Sequence, residues 1–263
     1  MPTVTDVVFC IDYTSSIMSY FNQIRTMILA ICTMALTNQN GVRISIIKFQ
    51  SHGDDWATRV YGFTQDLNAI NQMLTNENPD GVSPDGYEAV EFNTIFDISG
   101  DALREALNVQ WRLNNNNDLI FNEKLVILIT DGAPNGLFTP LNGADPWIIS
   151  NEFHRENITL VVVGVAESIN ECDDFYCALA QNTGGEYIPL VNAEDILQNV
   201  IQGVINEETT FHQCFRHVMM EEIEENSSFK YSYMKDRVIG MINECRTMDD
   251  IRKLFFNHRL STY

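Results

Sequence analysis

Positive charge is what this sequence has least of. Its 263 residues carry 16 Lys and Arg against 36 Asp and Glu, a formal net charge of −20 at pH 7. The deficit is uneven: up to Gly203 there are 26 acidic and 8 basic residues, and beyond it 10 and 8. Nucleic acid or an anionic membrane surface would be repelled by that first part, which makes both poor partners for it. The acidity reads as a solvated surface that keeps the chain soluble rather than as a dedicated site for a basic partner.

Long apolar runs are missing too. None approaches the ~20 consecutive apolar residues of a membrane-spanning helix, and Val7–Ile11 is too short for the core of a signal peptide. The expectation is a soluble, cytoplasmic protein. Pro (7) and Gly (14) are few and 45% of residues are hydrophobic, which is a globular composition rather than a disordered one. The length suits one large domain with a small extension. Without a secretory leader, six cysteines do not read as a disulfide framework, and the glycosylation patterns at Asn157 and Asn226 have no bearing. Cys10 and Cys32 fall in apolar patterns, as small hydrophobes. No glycine-rich phosphate or dinucleotide loop follows any predicted strand. His212, Cys214 and His217 lack a second ligand pair and do not make a zinc site.

What is there is alternation. Val4–Ile11, with the unbroken apolar run Val7–Ile11, and the predominantly apolar Lys124–Thr130 and Ile158–Val165 read as strands buried on both faces of a parallel sheet. Val42–Phe49 is a further strand, and Thr58–Thr64 pairs with it as an antiparallel edge. Glu186–Pro189 is a short last strand. Helical patterns cover Ser16–Leu36, Leu67–Leu74, Tyr87–Leu113 with a break at Ser99–Asp101, Pro146–Arg155, Cys172–Asn182 and Ala193–Ile205. Strand and helix in turn predict right-handed crossovers and an α/β, doubly wound, mostly parallel sheet with one antiparallel edge strand. The tail over 206–263 has no strand pattern. Its stripes, Phe211/Phe215/Val218/Met219/Ile223 and Tyr231/Met234/Val238/Ile242/Cys245, predict two amphipathic helices, and Thr247 caps a third running through Ile251, Leu254 and Phe255.

Chemistry concentrates where the strands end. Asp12-Tyr13-Thr14-Ser15-Ser16 leaves the first strand at its carboxyl end, the edge at which open α/β sheets hold ligands. One carboxylate and two hydroxyls at alternating positions suit a hard cation such as Mg²⁺. An ordinary helix cap, with Thr14 or Ser15 accepting from the first free amides, reads equally well from these five residues. A second carboxylate, Asp131, reaches the same edge in Ile129-Thr130-Asp131-Gly132. A third, Asp85, lies in Ser83-Pro84-Asp85-Gly86-Tyr87-Glu88-Ala89, at the end of a long polar loop of the kind that is often functional.

Over roughly its first 205 residues the chain resembles a von Willebrand factor A domain with a metal-ion-dependent adhesion site. Asp12, Thr14 and Ser16 match that family's D-x-S-x-S loop with Thr for the first Ser, and Asp131 matches its third loop. Asp85, Glu88 and Ala89 resemble the second loop of a branch associated with atypical alpha-kinases, although Tyr87 stands where that branch has Pro and its double Gly is absent. The resemblance implies a Rossmann-like domain over 1–205; the stripes of the tail make 206–263 a helical C-terminal extension, its helices expected to pack on the domain or on one another. The resemblance also implies Mg²⁺, with Mn²⁺ or Ca²⁺ as substitutes, bound directly by Thr14 and Ser16 and directly or through water by Asp12, Asp85 and Asp131. The partner is then another protein whose acidic side chain completes the coordination, and the C-terminal helices could dock a partner of their own. Three carboxylates around one dication leave the local charge negative, so the metal is held firmly and an acidic partner drawn less strongly. The function expected is a non-enzymatic, metal-dependent protein–protein interaction module. The alternatives are a structural subunit whose metal only stabilises the fold, and a Mg²⁺-dependent phosphatase-like hydrolase, which would want a second Asp where Thr14 stands.

Overall fold

The computed structural model describes residues 3–37, 41–50, 56–75, 99–112, 121–207, 209–217 and 230–260. Six strands form one sheet: β1 (Thr3–Asp12), β2 (Val42–Phe49), β3 (Thr58–Thr64), β4 (Phe121–Thr130), β5 (Ile158–Gly164) and β6 (Tyr187–Pro189). Their order is β3-β2-β1-β4-β5-β6. Every pairing is parallel except β2 with β3, the antiparallel edge that the sequence predicts. The strand order runs one way from β1 and the other way from β4, so the switch point lies between these two central strands. That places a ligand crevice at their carboxyl ends.

Helices cover both faces because the central strands carry apolar side chains on both, over Val7–Ile11, Leu125–Ile129 and Leu160–Val163. Val7, Phe9 and Ile11 of β1 point into a core shared with α1 (Phe21–Thr37), α2 (Leu67–Thr75), α6 (Leu190–Glu207) and α7 (211–217). Val8 and Cys10 point the other way, into a core with α3 (Ser99–Asn108), α4 (Pro146–Arg155), α5 (Asp173–Gln181), α8 (Lys230–Glu244) and α9 (Met248–Leu260). Each large apolar side chain buried there contributes about 1.5–3 kcal/mol of transfer free energy. All six cysteines are free thiols.

Three local readings change. The helix after the first loop begins not at Ser16 but at Phe21, preceded by a 3₁₀ segment over Ser15–Tyr20. Helix α3 ends at Asn108 rather than Leu113, and the Trp111 indole N–H then turns back to the Ala106 carbonyl at 3.0 Å. The stretch 87–98 lies outside the described residues. The closing helix α6 starts at Leu190, directly after Pro189. Within β1, Asp6 is fully buried and ion-paired: Arg43 donates to it at 2.9 Å, and the Arg112 guanidinium lies 3.2 Å away.

The C-terminal helices are packed on the sheet layers. Phe211 and Phe215 of α7 are buried in the first core, and the Phe211 amide donates to Glu123 at 3.0 Å. Val238, Met241, Cys245, Met248, Ile251 and Phe255 of the α8–α9 hairpin are buried in the second. The indole of Trp147 in α4 donates to the Cys245 carbonyl at 3.2 Å. Helix α9 opens with a reciprocal cap: the Thr247 hydroxyl accepts from the Asp250 amide at 3.3 Å, and the Asp250 carboxylate accepts from the Thr247 amide at 3.1 Å.

Glu186, just before β6, gives the fold a pH dependence. Burial pushes its carboxyl up to about 7, only partly opposed by a long 3.4 Å bond from the Gln181 side-chain amide. A raised carboxyl binds its proton more tightly folded than unfolded. Its contribution is therefore fully present below the unfolded carboxylate value and is lost as pH rises through about 7. Glu186→Gln is expected to melt a few degrees above the parent at about pH 8 and level with it at about pH 4. Thermal melts at both ends would show it, and an unchanged difference between the two pH values would refute it.

Candidate metal centre

Asp12 and Asp131 are brought together by register. Ile11 of β1 pairs with Ile129 of β4, so β1 ends at Asp12 level with Thr130, the end of β4, and Asp131 follows one residue on at the same edge, in the crevice at the switch point. Asp12, Thr14 and Asp131 are all buried, with Asp12 only 1% exposed, while Ser16 faces solvent. Asp85 lies outside the described residues.

The oxygens form a ring of close contacts, closed through the Thr130–Asp131 backbone; the Thr14 and Ser16 hydroxyls each give their single proton to a carboxylate. Asp12 Oδ1 accepts from the Thr14 amide at 2.8 Å and from the Thr14 hydroxyl at 2.7 Å. The Thr14 and Ser16 hydroxyls are 3.0 Å apart. The Ser16 hydroxyl donates to Asp131 Oδ1 at 3.0 Å, across 115 residues of sequence. Thr130 closes the ring, its hydroxyl donating to Asp12 Oδ2 at 3.1 Å. The helix-cap alternative for this loop fails on geometry. Thr14 occupies the cap position of the 3₁₀ segment with extended backbone, but its side chain makes no capping bond. Its hydroxyl is turned to Asp12 instead.

Electrostatics mark the ring as short of positive charge. Burial is the main cause lifting the Asp12 carboxyl to about 6; bonds from Thr14 and Thr130 oppose it, and the Asp131 charge adds to it. Asp131 is raised as well, by burial first, against the bond from Ser16. Two buried carboxylates that hold protons above their usual range are the arrangement a divalent cation relieves. The donors are all oxygen: two carboxylates and three hydroxyls. Among the described residues no three His, Cys, Asp or Glu side chains cluster, and the groups that meet here are oxygens rather than thiolates or imidazoles. The residues fit a hard cation such as Mg²⁺ or Mn²⁺.

Two neighbours escape sequence reading. Thr130 is the hydroxyl at the end of an otherwise apolar buried strand, and that placement was its only signal. Lys48 of β2 is fully buried, with its ammonium 4.4 Å from the Tyr13 ring centroid and 5.5 Å from that of Tyr61. Burial, with Arg59 nearby, brings it down to about 8. Tyr13 is tied from the same side: its amide donates to the Phe49 carbonyl at 2.8 Å, and its carbonyl accepts from Gln50 at 3.4 Å. The first loop is thus anchored to β2 as well as to β4.

Solved structures share the fold. The pilus adhesin SpaC of Lactobacillus rhamnosus GG is 16% identical with a TM-score of 0.56, overlapping 78% of this chain and 31% of that one. BatB, a conserved hypothetical protein of Bacteroides thetaiotaomicron, is 14% identical with a TM-score of 0.51, overlapping 76% of this chain and 97% of that one. Proximal thread matrix protein 1 from the mussel byssus, with a zinc-occupied MIDAS motif, is 19% identical with a TM-score of 0.50, overlapping 78% and 46%. No curated protein matches the chain. The likeness supports the family as a whole and not its alpha-kinase-associated branch. A family model for the von Willebrand factor type A domain matches residues 6–200 of the 263, and the chain belongs to that family.

Proposed function

We propose that the protein is a divalent-metal-dependent protein–protein interaction module. Thr14 and Ser16 would hold Mg²⁺, or Mn²⁺ or Ca²⁺ in its place, through their hydroxyls. Asp12 and Asp131 would supply charge directly or through water, and Asp85 would add a third carboxylate by family resemblance. When bound, the cation supplies an electrophilic position that an acidic side chain of another protein can occupy. The observation that carries this reading is the Ser16–Asp131 hydrogen bond at 3.0 Å, which joins loops 115 residues apart into one oxygen-lined ring at the switch point. The mussel protein's zinc-occupied MIDAS motif supports a divalent ion in this fold position.

Nothing in the ring calls for catalysis. Its groups are oxygen acceptors and donors, and among the described residues no imidazole, thiol or amine is hydrogen-bonded into it as a general base. Immobilised chain is expected to capture its partner in Mn²⁺, to release it in EDTA, and to lose capture on Asp131→Asn. Capture indifferent to chelator and to the substitution would move the reading to a structural subunit. Phosphate-ester turnover in Mg²⁺ that vanished on Asp12→Asn would replace it with a hydrolase.

A further inference from the structure

The segment 132–145 leaves the sheet at Asp131 and returns to α4, held at its start by α5 and at its middle and end by α9. At the near end, the Tyr176 hydroxyl of α5 donates to the Gly132 carbonyl at 2.8 Å. Gly136 has φ +96°, and a side chain there would meet Leu141 and, on α9, Met248 at 2.9 Å. Phe138 packs edge-on against Phe255 at 5.5 Å between centroids and against Phe256 at 6.4 Å. At the far end, Asp145 joins two helix starts. Its Oδ1 accepts from the Trp147 and Ile148 amides at 2.9 and 3.0 Å, capping α4, while its Oδ2 accepts from the Met248 amide at 2.9 Å, at the start of α9. Helix α5 is itself clamped to the hairpin, with the Arg237 guanidinium 2.6 Å from Asp174 and stacked 4.8 Å from the Phe255 ring.

We infer that α9, acting through Asp145 and Phe138, is a positioning element for Asp131, so that the C-terminal hairpin sets how tightly the centre holds its cation. This rests on the metal reading above. The loop bearing Asp131 touches α9 at its middle and at its end, and has its first carbonyl held by a helix that α8 clamps. Loosening α9 therefore releases the segment that aims the carboxylate, without touching any oxygen of the ring. A misaimed carboxylate weakens the metal while leaving its chemistry intact.

Asp145→Asn separates the two functions of that side chain. Its amide oxygen still caps α4, Asn being as good a cap as Asp, but its NH₂ cannot accept from Met248. Phe256→Ala, at a ring 37% exposed, loosens the loop from Phe138 with little cost to the core. Lys253→Ala, an exposed α9 residue paired with Asp249, is the control. Two readouts on the full chain are needed: Mn²⁺ affinity, and hydrogen exchange of residues 131–144 in EDTA. Both test variants are expected to speed exchange in that segment and to raise the Mn²⁺ dissociation constant roughly tenfold, with the control matching the parent in both. Unchanged exchange would overturn the positioning claim, and faster exchange at unchanged affinity would overturn its link to the metal. A parent chain that binds no Mn²⁺ would overturn the metal reading itself, and exchange in EDTA would still decide whether α9 holds the loop.

Discussion

Asp12→Asn is expected to raise the melting temperature of the chain in chelator and to abolish the further rise that Mg²⁺ or Mn²⁺ gives the parent. Both effects follow from one buried charge. Without metal, Asp12 is 1% exposed beside a second carboxylate, and burial holds its carboxyl at about 6. At neutral pH the folded chain therefore carries an ion that costs more there than in the unfolded state. Asn keeps the acceptor for the Thr14 amide and hydroxyl, its NH₂ can donate to Thr130 once that hydroxyl rotates, and the charge is gone. With metal the order reverses, because the carboxylate is what the dication pairs with. A cation at a hundred times its dissociation constant adds about 2.7 kcal/mol. For a domain of this size that is a rise of about 5–10 °C in the parent and none in the variant. Melts of both proteins in EDTA and in excess Mn²⁺ make the comparison. An equal metal-dependent rise in the variant would remove Asp12 from the site.

Ending the chain after Ile205 is expected to prevent cooperative folding. The family pattern is complete before the tail begins, yet the tail is part of both cores. Phe211, Phe215, Val238, Met241, Cys245, Met248, Ile251 and Phe255 are each at most 4% exposed and share the two cores with the sheet. At about 1.5–3 kcal/mol for a fully buried large apolar side chain, their loss matches or exceeds the 5–15 kcal/mol by which a domain is ordinarily stable. It also uncovers apolar surface on α4 and α5, including the side of Trp147 that faces Cys245. The truncated chain should be aggregated or molten, without a cooperative melt and without near-ultraviolet circular dichroism from its aromatics. A soluble fragment melting cooperatively within a few degrees of the full chain would show the tail to be an appendage.

The sheet was legible because its central strands are apolar on both faces, a pattern that only a parallel, twice-covered position explains. The edge pairing of β2 with β3 was legible for the opposite reason, since the turn between them and the mixed composition of Thr58–Thr64 do not suit a buried strand. The first and third loops could be found from Asp12 and Asp131 because each is the first polar break after such a strand. Other features depend on distant partners. Asp6 sits inside β1, and its arginines are 37 and 106 residues away, so no local pattern announces it. The start of the helix after the first loop was misplaced because the Thr14 hydroxyl that would cap it is engaged by Asp12 instead. Lys48 carries no local signal of burial, yet it lies beside two tyrosine rings that the fold brings to it. In the tail, periodicity marked the apolar stripes but not which helices they would meet; the coupling of α9 to the Asp131 loop depends on Asp145 and Phe138, neither of which carries a motif. Asp85 was placed at the site by family resemblance alone and lies outside the described residues.

Anomalous scattering from crystals of the full chain grown in Mn²⁺ would test the central claim most directly. One peak per chain is expected, within coordination distance of oxygens from Thr14, Ser16 and the Asp12 and Asp131 carboxylates or their waters. No peak at saturating Mn²⁺, or a peak away from the carboxyl ends of β1 and β4, would contradict it.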